Sequence, residues 1–393
     1  MHRNPVIVDI VRSPMGRGKV GGCLSAVHPV DLLSQTIAAL VDRNTLDPGS
    51  VDDVIIGCVS QAGEQAVPVG RTAWLAAGYP VHVPSTTVER RCGSSQQAIH
   101  FGAQGIAAGV YDIVIAGGVE SMSRVPMGSA RMGKEPHGDL FARRFPEGMV
   151  GQGISAELIA ARWGINRIQM DEYSARSHAL AEICRAAGGF QREIVAIQTP
   201  AGPVARDETI RSSTTGQGLV LLASSFRYDT LSARFPEIGW NLTAGNSSQI
   251  ADGAAVALLM TETTASRLGL RARARFVAFD VIGDDPLLML SAPIPATRRV
   301  LAKAGMSVDQ IDHFEVNEAF APVPLAWLKD IGAEPGRLNP RGGAIALGHP
   351  LGATGARLMA TMLNALEQSG GRFGLQTMCE AGGLANATII ERL

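Results

Sequence analysis

Short apolar runs alternate along the chain with longer segments of helical periodicity. Pro5–Val11 and Val54–Val59 read as buried strands, with an amphipathic helix over Asp31–Leu40 between them. Gly70–Ala77 is a short helix stopped by Tyr79-Pro80. From Ser95 to Ala108 there is no proline and apolar residues cover nearly the whole circumference, which marks a buried helix. Ser94 and Ser95 stand where they can cap its first turn. Cys92, just ahead of that helix, is expected to feel the free amides and the dipole, both of which favour a thiolate. Tyr111–Ala116 follows as a buried strand ending in Gly117-Gly118. Strands and helices in alternation predict an α/β fold with a largely buried sheet.

The order then repeats. Ser50-Val51-Asp52-Asp53 leads into VIIGCV, and Ser307-Val308-Asp309-Gln310 leads into IDHFEV. A helix precedes each, over Thr36–Asp42 and Thr297–Ala304, and a glycine-rich loop opening onto a helix follows each. Cys92 sits in the first loop and His349, ahead of a Gly352–Leu366 helix, in the second. A strand closes each set, Tyr111–Ala116 or Gly374–Met378, so an internal duplication is expected. Between the halves, Ser121–Leu242 differs in texture. It holds irregular charged stretches such as Arg131–Pro146 and Arg206–Gly218, and two helices, Ser155–Arg162 and Gln169–Ala187, the second opened by Asp171-Glu172. Long loops of this kind tend to be lids or binding elements.

Bulk properties narrow the function. A chain of 393 residues is long enough for two or three domains. Its net charge of −1 gives no electrostatic case for nucleic acid or an anionic membrane. No run approaches the roughly 18 apolar residues that a membrane helix needs. The start, MHRNPVIVDIVRSP, carries no signal-peptide pattern, and the end, Glu391-Arg392-Leu393, is not an SKL-type address. Five cysteines, Cys23, Cys58, Cys92, Cys184 and Cys379, are odd in number and form no CxxC pairs. Free thiols in a reducing compartment are therefore expected, with no metal site and a cytoplasmic location.

Four short motifs carry the chemistry: ERRCGSS around Cys92, NEAFA from Asn317, GHPLGATG around His349 and CEAGG from Cys379. With these four in this order, the chain resembles the thiolase family of acetyl-CoA acetyltransferases and 3-ketoacyl-CoA thiolases over essentially its whole length. The resemblance implies an α/β thiolase fold, two duplicated βαβαβαββ-type halves layered α-β-α-β-α. The first half would hold residues 1–120 with 246–272, and the second 273–393. A loop domain over 121–245 would contact coenzyme A and build a homodimer or homotetramer. Enzymes of β-oxidation are the further partners it suggests.

Thioester exchange needs a nucleophile, a base, an oxyanion stabiliser and a second acid/base for the departing carbanion. Cys92 fits the first. His349 fits the second, because its flanking glycine lets backbone and ligand approach closely. A thiol titrates closer to neutrality than a hydroxyl, so Cys379 can be the second proton carrier. By resemblance, Cys379 serves the acetyl-CoA methyl carbon and Asn317 holds an oxyanion-hole water. The amides of Cys92 and Ala381 would form a second oxyanion hole. Thr243–Ala255, TAGNSSQIADGAA, matches the family's coenzyme-contacting segment. There Ser248 and Ala244 would flank the pantetheine, with Ala319 and Phe320 on the opposite wall. Coenzyme A is then a co-substrate, no cofactor is permanently bound, and nothing resembles a P-loop or a dinucleotide GxGxxG. Cys23, Cys58 and Cys184 are expected to be structural.

The chain also departs from the family. Ala381 stands where many thiolases have glycine, and Glu89 stands where asparagine is frequent, a change the sequence does not explain. Acetoacetyl-specific members generally carry a His-Met pair before the loop-domain helix. Here the aligned pair is Gly151-Gln152, while Met289 keeps the second pocket methionine, so a wider acyl pocket is expected. The reading is thiolytic cleavage of a longer, bulkier or ring-derived 3-ketoacyl-CoA. The alternatives are an acetoacetyl-CoA-forming acetyltransferase, a decarboxylating ketoacyl synthase, and a non-catalytic acyl-CoA-binding subunit. Cys379 speaks against the synthase, and the full motif set against the binding subunit.

Overall fold

The computed structural model describes residues 3–393. Its main sheet runs, from one edge to the other, His313–Val316, Phe373–Glu380, Leu384–Arg392, Ala274–Gly283, Pro5–Arg12, Ala251–Thr261, Ile113–Ser121, Asp53–Gly57 and Ser85–Val88. Two four-strand blocks share one pattern of directions. In the first, Asp53–Gly57 is parallel to Ile113–Ser121, which is antiparallel to Ala251–Thr261, itself antiparallel to Pro5–Arg12. In the second, His313–Val316 is parallel to Phe373–Glu380, then antiparallel steps lead to Leu384–Arg392 and Ala274–Gly283. The blocks meet only where Val6 and Ile7 pair with Arg275 and Ala274. Even the turn locks repeat. The Asp52 carboxylate accepts from the Asp112 and Ile113 amides, and the Asp312 carboxylate from the Arg372 and Phe373 amides. The duplication read from element order is therefore present in the backbone.

Two helices lie between the blocks, Ser94–Ala108 and Thr354–Ser369, and they pack on each other and on strands of the sheet. Every residue of the second from Thr354 to Leu366 is buried. Its apolar side chains Ala356, Met359, Ala360, Met362, Leu363 and Leu366 fill a core shared with Ile99 and Ile106 of the first. At about 25 cal/mol per Å² of apolar surface, this all-round burial is the main force fixing where the loops ahead of the helices stand.

Several local expectations need correction. The Ser94–Ala108 helix starts from Gly93 without a side-chain cap. Ser94 Oγ instead accepts from the Arg90 amide and donates to the Arg91 carbonyl, which folds the turn that carries Cys92. Ser95 Oγ accepts from the Ala356 amide and so ties the two central helices together. The second loop-region helix is Arg167–Ala186, opened by an Asn166–Gln169 capping box rather than by Asp171-Glu172. Asp171 is buried and binds Arg167 and Asn246.

Gly117-Gly118 does not end its strand, which continues to Ser121. These glycines answer close backbone approach, not a turn. A Cβ on Gly117 would stand 2.1 Å from the Ala255 carbonyl oxygen, and one on Gly118 only 2.0 Å from that of Gly352. Gly118→Ala should therefore cost at least about 3 kcal/mol, the upper end of overpacking penalties, because backbone rather than a flexible side chain must move. Urea denaturation checks this, with Gly151→Ala as the contrast, since a Cβ at Gly151 meets nothing within 4 Å. Equal midpoints for the two variants would contradict the packing argument.

Candidate active site

Cys92 lies between Arg91, whose φ of 47° is left-handed, and Gly93, which begins the buried helix. The thiol is 3% exposed, and the backbone amides of Cys92 itself and of Ala381 face its sulfur. These are the two amides expected to pair there. The helix start does not make a resting thiolate. Burial pushes the Cys92 thiol up to about 12, Glu380 adds to the rise, and the two amides and Arg91 only partly offset it. Cys379, the penultimate residue of strand Phe373–Glu380, is fully buried. Burial raises it well above the ordinary thiol range, followed by the nearby Cys92 and Glu380. Both thiols are thus protonated until something takes their protons.

His349 can take one. Gly348 enters its loop at φ +85°, and a Cβ there would meet that of Ala251 at 2.7 Å. The His349 amide donates to the Gln249 carbonyl at 2.9 Å. His349 Nδ1 lies 2.7 Å from Thr354 Oγ1, and the Thr354 hydroxyl donates to the Pro350 carbonyl at 2.8 Å. With that hydroxyl hydrogen committed, Thr354 can only accept from Nδ1–H. Nε2 is therefore left as the lone-pair nitrogen, and it is buried without a protein partner. Burial, then the buried Arg357, pushes the imidazole down to about 3, so it stays a neutral base. The loop sits on the start of the Cys92 helix, where Leu351 and Cys92 share one apolar cluster with Met122 and Met378.

Asn317 follows strand His313–Val316, and its amide donates to the Thr377 carbonyl, two residues before Cys379. Both polar atoms of its side chain are buried without a protein partner, as an amide awaiting a water or an oxyanion would be. Ala319 and Ser248 are joined by a 2.9 Å backbone hydrogen bond, and Phe320 bridges to Ser247. Ala244 is exposed in the turn just before them. The four coenzyme-contact candidates thus lie along one turn-and-strand junction. Phe320 packs edge-on against Phe226 at 5.8 Å. Met289, buried with a φ of 48°, belongs to the same apolar cluster as Cys379 and Ala319. Gln152 is the half-buried first residue of helix Gln152–Arg162, with Gly151 exposed before it.

Four supporting residues were not singled out from sequence. Thr354 sets the histidine tautomer. The Glu318 carboxylate is fully buried and accepts from Tyr173, Ser177, Asn339 and the Ile345 amide, which fixes the turn after Asn317. The Glu120 carboxylate accepts from the Val59, Ser60 and Gly352 amides and from Gln65, which clamps the His349 loop to the first half. Glu380 lies buried beneath Gly93. Thr354, Glu318 and Glu380 were within reach, since all three lie inside motifs already quoted. For Glu120 the only signal is an acid inside an otherwise apolar strand. Among the described residues, no three His, Cys, Asp or Glu side chains are grouped to hold a metal ion.

Two buried thiols, a neutral imidazole with its lone pair free, and converging amides define an enzyme of thioester exchange on a duplicated α/β frame. Comparison with known proteins agrees. The family described as thiolase, N-terminal domain, matches residues 5–263, and thiolase, C-terminal domain, matches 270–392. A steroid 3-ketoacyl-CoA thiolase of Mycobacterium tuberculosis is 48% identical, with 98% of this chain and 94% of the relative covered. A 3-ketoacyl-CoA thiolase of Pseudoalteromonas translucida is 42% identical, with 99% of each covered. The crystal structure of the Bacillus anthracis acetyl-CoA acetyltransferase superposes with a TM-score of 0.88 at 35% identity, covering 100% of this chain and 99% of the other. The chain belongs to the thiolase family. It is an acyltransferase, with thiolytic cleavage of 3-ketoacyl-CoA by coenzyme A as its reaction.

Proposed function

We propose that this thiolase works in the degradative direction on 3-ketoacyl-CoA whose acyl group is longer or bulkier than acetoacetyl, a ring-derived acid included. The observation that carries the reading is Gly151-Gln152 standing where short-chain members carry a His-Met pair, so that no bulky side chain projects from position 151. Met289 remains as the second pocket methionine. The printed name of the 48% identical relative, a steroid 3-ketoacyl-CoA thiolase, points the same way.

In this reading His349 Nε2 takes the Cys92 proton and the thiolate attacks the 3-keto carbon. The oxyanion formed on C3 is met by the Cys92 and Ala381 amides, and the water on Asn317 meets the thioester oxygen of the departing acetyl-CoA enolate. The C2–C3 bond breaks, acetyl-CoA leaves as its enolate, and Cys379 protonates the methyl carbon. The acyl group now rests on Cys92, with its carbonyl oxygen toward the Cys92 and Ala381 amides. Coenzyme A gives its thiol proton to the Cys379 thiolate and attacks the acyl-Cys92 thioester. His349 returns its proton to Cys92, so both thiols and the imidazole end as they began. The pantetheine runs past Ala244, Ser248, Ala319 and Phe320. The chemistry needs no resident cofactor and no metal.

The same reading divides the chain into halves of residues 1–120 with 246–272 and 273–393, around a 121–245 loop domain that builds a dimer or tetramer. It places the enzyme in the cytoplasm beside other enzymes of β-oxidation. Among the described residues no helix is long and apolar enough to cross a membrane. Thiolysis assays across 3-ketoacyl-CoA of increasing length and bulk test the pocket. Each buried methylene discriminates by about 1–3 kcal/mol at most, so kcat/KM should climb over several carbons. Gln152→Met should lower kcat/KM for bulky substrates and spare acetoacetyl-CoA. A wild-type enzyme fastest on acetoacetyl-CoA and nearly inert on six-carbon and larger substrates would instead be a short-chain acetyltransferase.

A further inference from the structure

The two halves put a buried glutamate at one equivalent place and treat it in opposite ways. Counted from Ile113 and Phe373, which occupy matching turn locks, Glu120 and Glu380 hold the same strand position. Each meets the loop two residues ahead of a central helix, Gly352 for Glu120 and the Cys92-Gly93 step for Glu380. Glu120 is saturated there by three amides and Gln65 at 2.9–3.1 Å. Glu380 has no hydrogen-bond partner on either carboxyl oxygen and is 0% exposed. A Cβ on Gly93 would stand 1.8 Å from Glu380 Oε1, so any side chain there would displace this carboxyl from its seat.

A buried carboxylate with no protein donor in good hydrogen-bond geometry is disfavoured, and burial keeps the Glu380 proton well above the ordinary carboxyl range. The groups facing it are the Arg90 side chain and the Asn386 amide, which favour ionisation, and Glu89, which opposes it. Glu380 in turn faces Cys92 and Cys379, and its negative charge raises both thiols. In a buried site such a charge acts with little screening.

We propose that Glu380 is a positioning residue that keeps the two-thiol site free of fixed negative charge: un-ionised, it lets the Cys92 and Cys379 thiolates form, and its ionisation closes the site at alkaline pH. This rests on the assignment of Cys92 and Cys379 made above. Protonated Glu380 is neutral, so thiolate formation meets no opposing charge. As pH rises through its ionisation, a carboxylate appears under Gly93 and both thiolates become harder to form, so activity falls.

The test compares pH profiles of thiolysis kcat/KM for the wild type and Glu380→Gln, each normalised to its own maximum. The alkaline limb should move up by about one pH unit or more, or vanish, because the titrating group is gone. Glu380→Met, neutral and of similar volume, gives the same readout should the amide variant not fold. Glu120→Gln should lower the melting temperature and leave the limb in place. Superimposed wild-type and Glu380-variant limbs overturn the proposal, and so does an equal shift in Glu120→Gln. An infrared band of a buried carboxylic acid that is present in the wild type at neutral pH and missing from Glu380→Gln should disappear along the same limb. Its absence at neutral pH would also overturn the idea. Mass spectrometry of the acyl-enzyme is run alongside. Failure to find the adduct on Cys92 counts against the nucleophile assignment, whereas a Cys92 adduct with an unmoved limb counts against Glu380 alone.

Discussion

Cys92→Ala should reduce thiolysis by on the order of 10⁵-fold or more, as removing the nucleophile of a covalent mechanism generally does. The thiol is the atom on which the two amides of Cys92 and Ala381 converge, and no other thiol has both. Its surroundings are apolar, and alanine removes one sulfur from a cluster of Met122, Leu351, Leu358 and Met378. The melting temperature and coenzyme A affinity should therefore change little. Incubation with 3-ketoacyl-CoA in the absence of coenzyme A, followed by peptide mass spectrometry, should find the acyl group on Cys92 in the wild type and nowhere in the variant. An adduct on Cys379 would exchange the roles of the two thiols.

The elevated thiol also changes how activation is understood. A cysteine at a helix start can be a resting thiolate when it is partly exposed and faced by cations. Here desolvation outweighs the amides, so in the proposed mechanism the Cys92 thiolate is made at the moment of use by His349, whose own proton affinity burial has lowered. That pairing works because the ion pair formed, thiolate and imidazolium, is net neutral inside the protein. It also explains why an un-ionised Glu380 matters, since one added negative charge would break the balance.

Sequence patterning revealed the alternation of strands and helices, the duplication and the glycine-rich loops ahead of the central helices, because each depends on local periodicity or glycine chemistry. It misled where tertiary packing overrode a local rule. Gly117-Gly118 has the composition of a strand end, yet two neighbouring backbones pass there and only glycine fits. Ser94 and Ser95 have the composition of caps, yet their hydroxyls serve the Cys92 turn and the partner helix. The amides at the helix start do favour a Cys92 thiolate, but the burial that only the folded halves create outweighs them. The different fates of Glu120 and Glu380 are not legible along the chain. Their difference lies in the hydrogen bonds that three amides and Gln65 give to Glu120.

Cys379→Ser should separate the two half-reactions. The acetyl-CoA enolate needs a proton at the moment the carbon–carbon bond breaks, and positioned general acids are worth about 10²–10⁴-fold. A serine hydroxyl keeps the size and hydrogen-bonding capacity of the thiol but is a far weaker acid, so cleavage should fall by that factor. Acyl transfer to Cys92 from a simple acyl-CoA thioester generates no carbanion and should lose much less. Cys379 is 0% exposed and packs in the core cluster of the second half, so stability must be followed in parallel. Burial holds its proton tightly in the free enzyme, which suits a group that must yield it only to an enolate. Rapid-quench measurement of acyl-Cys92 formation from acyl-CoA, set against thiolysis of the 3-ketoacyl-CoA, reads the two steps independently. A selective loss of cleavage marks Cys379 as the acid of the carbon–carbon step. Equal losses in both, with an unchanged melting temperature, would mean that it serves the nucleophile instead.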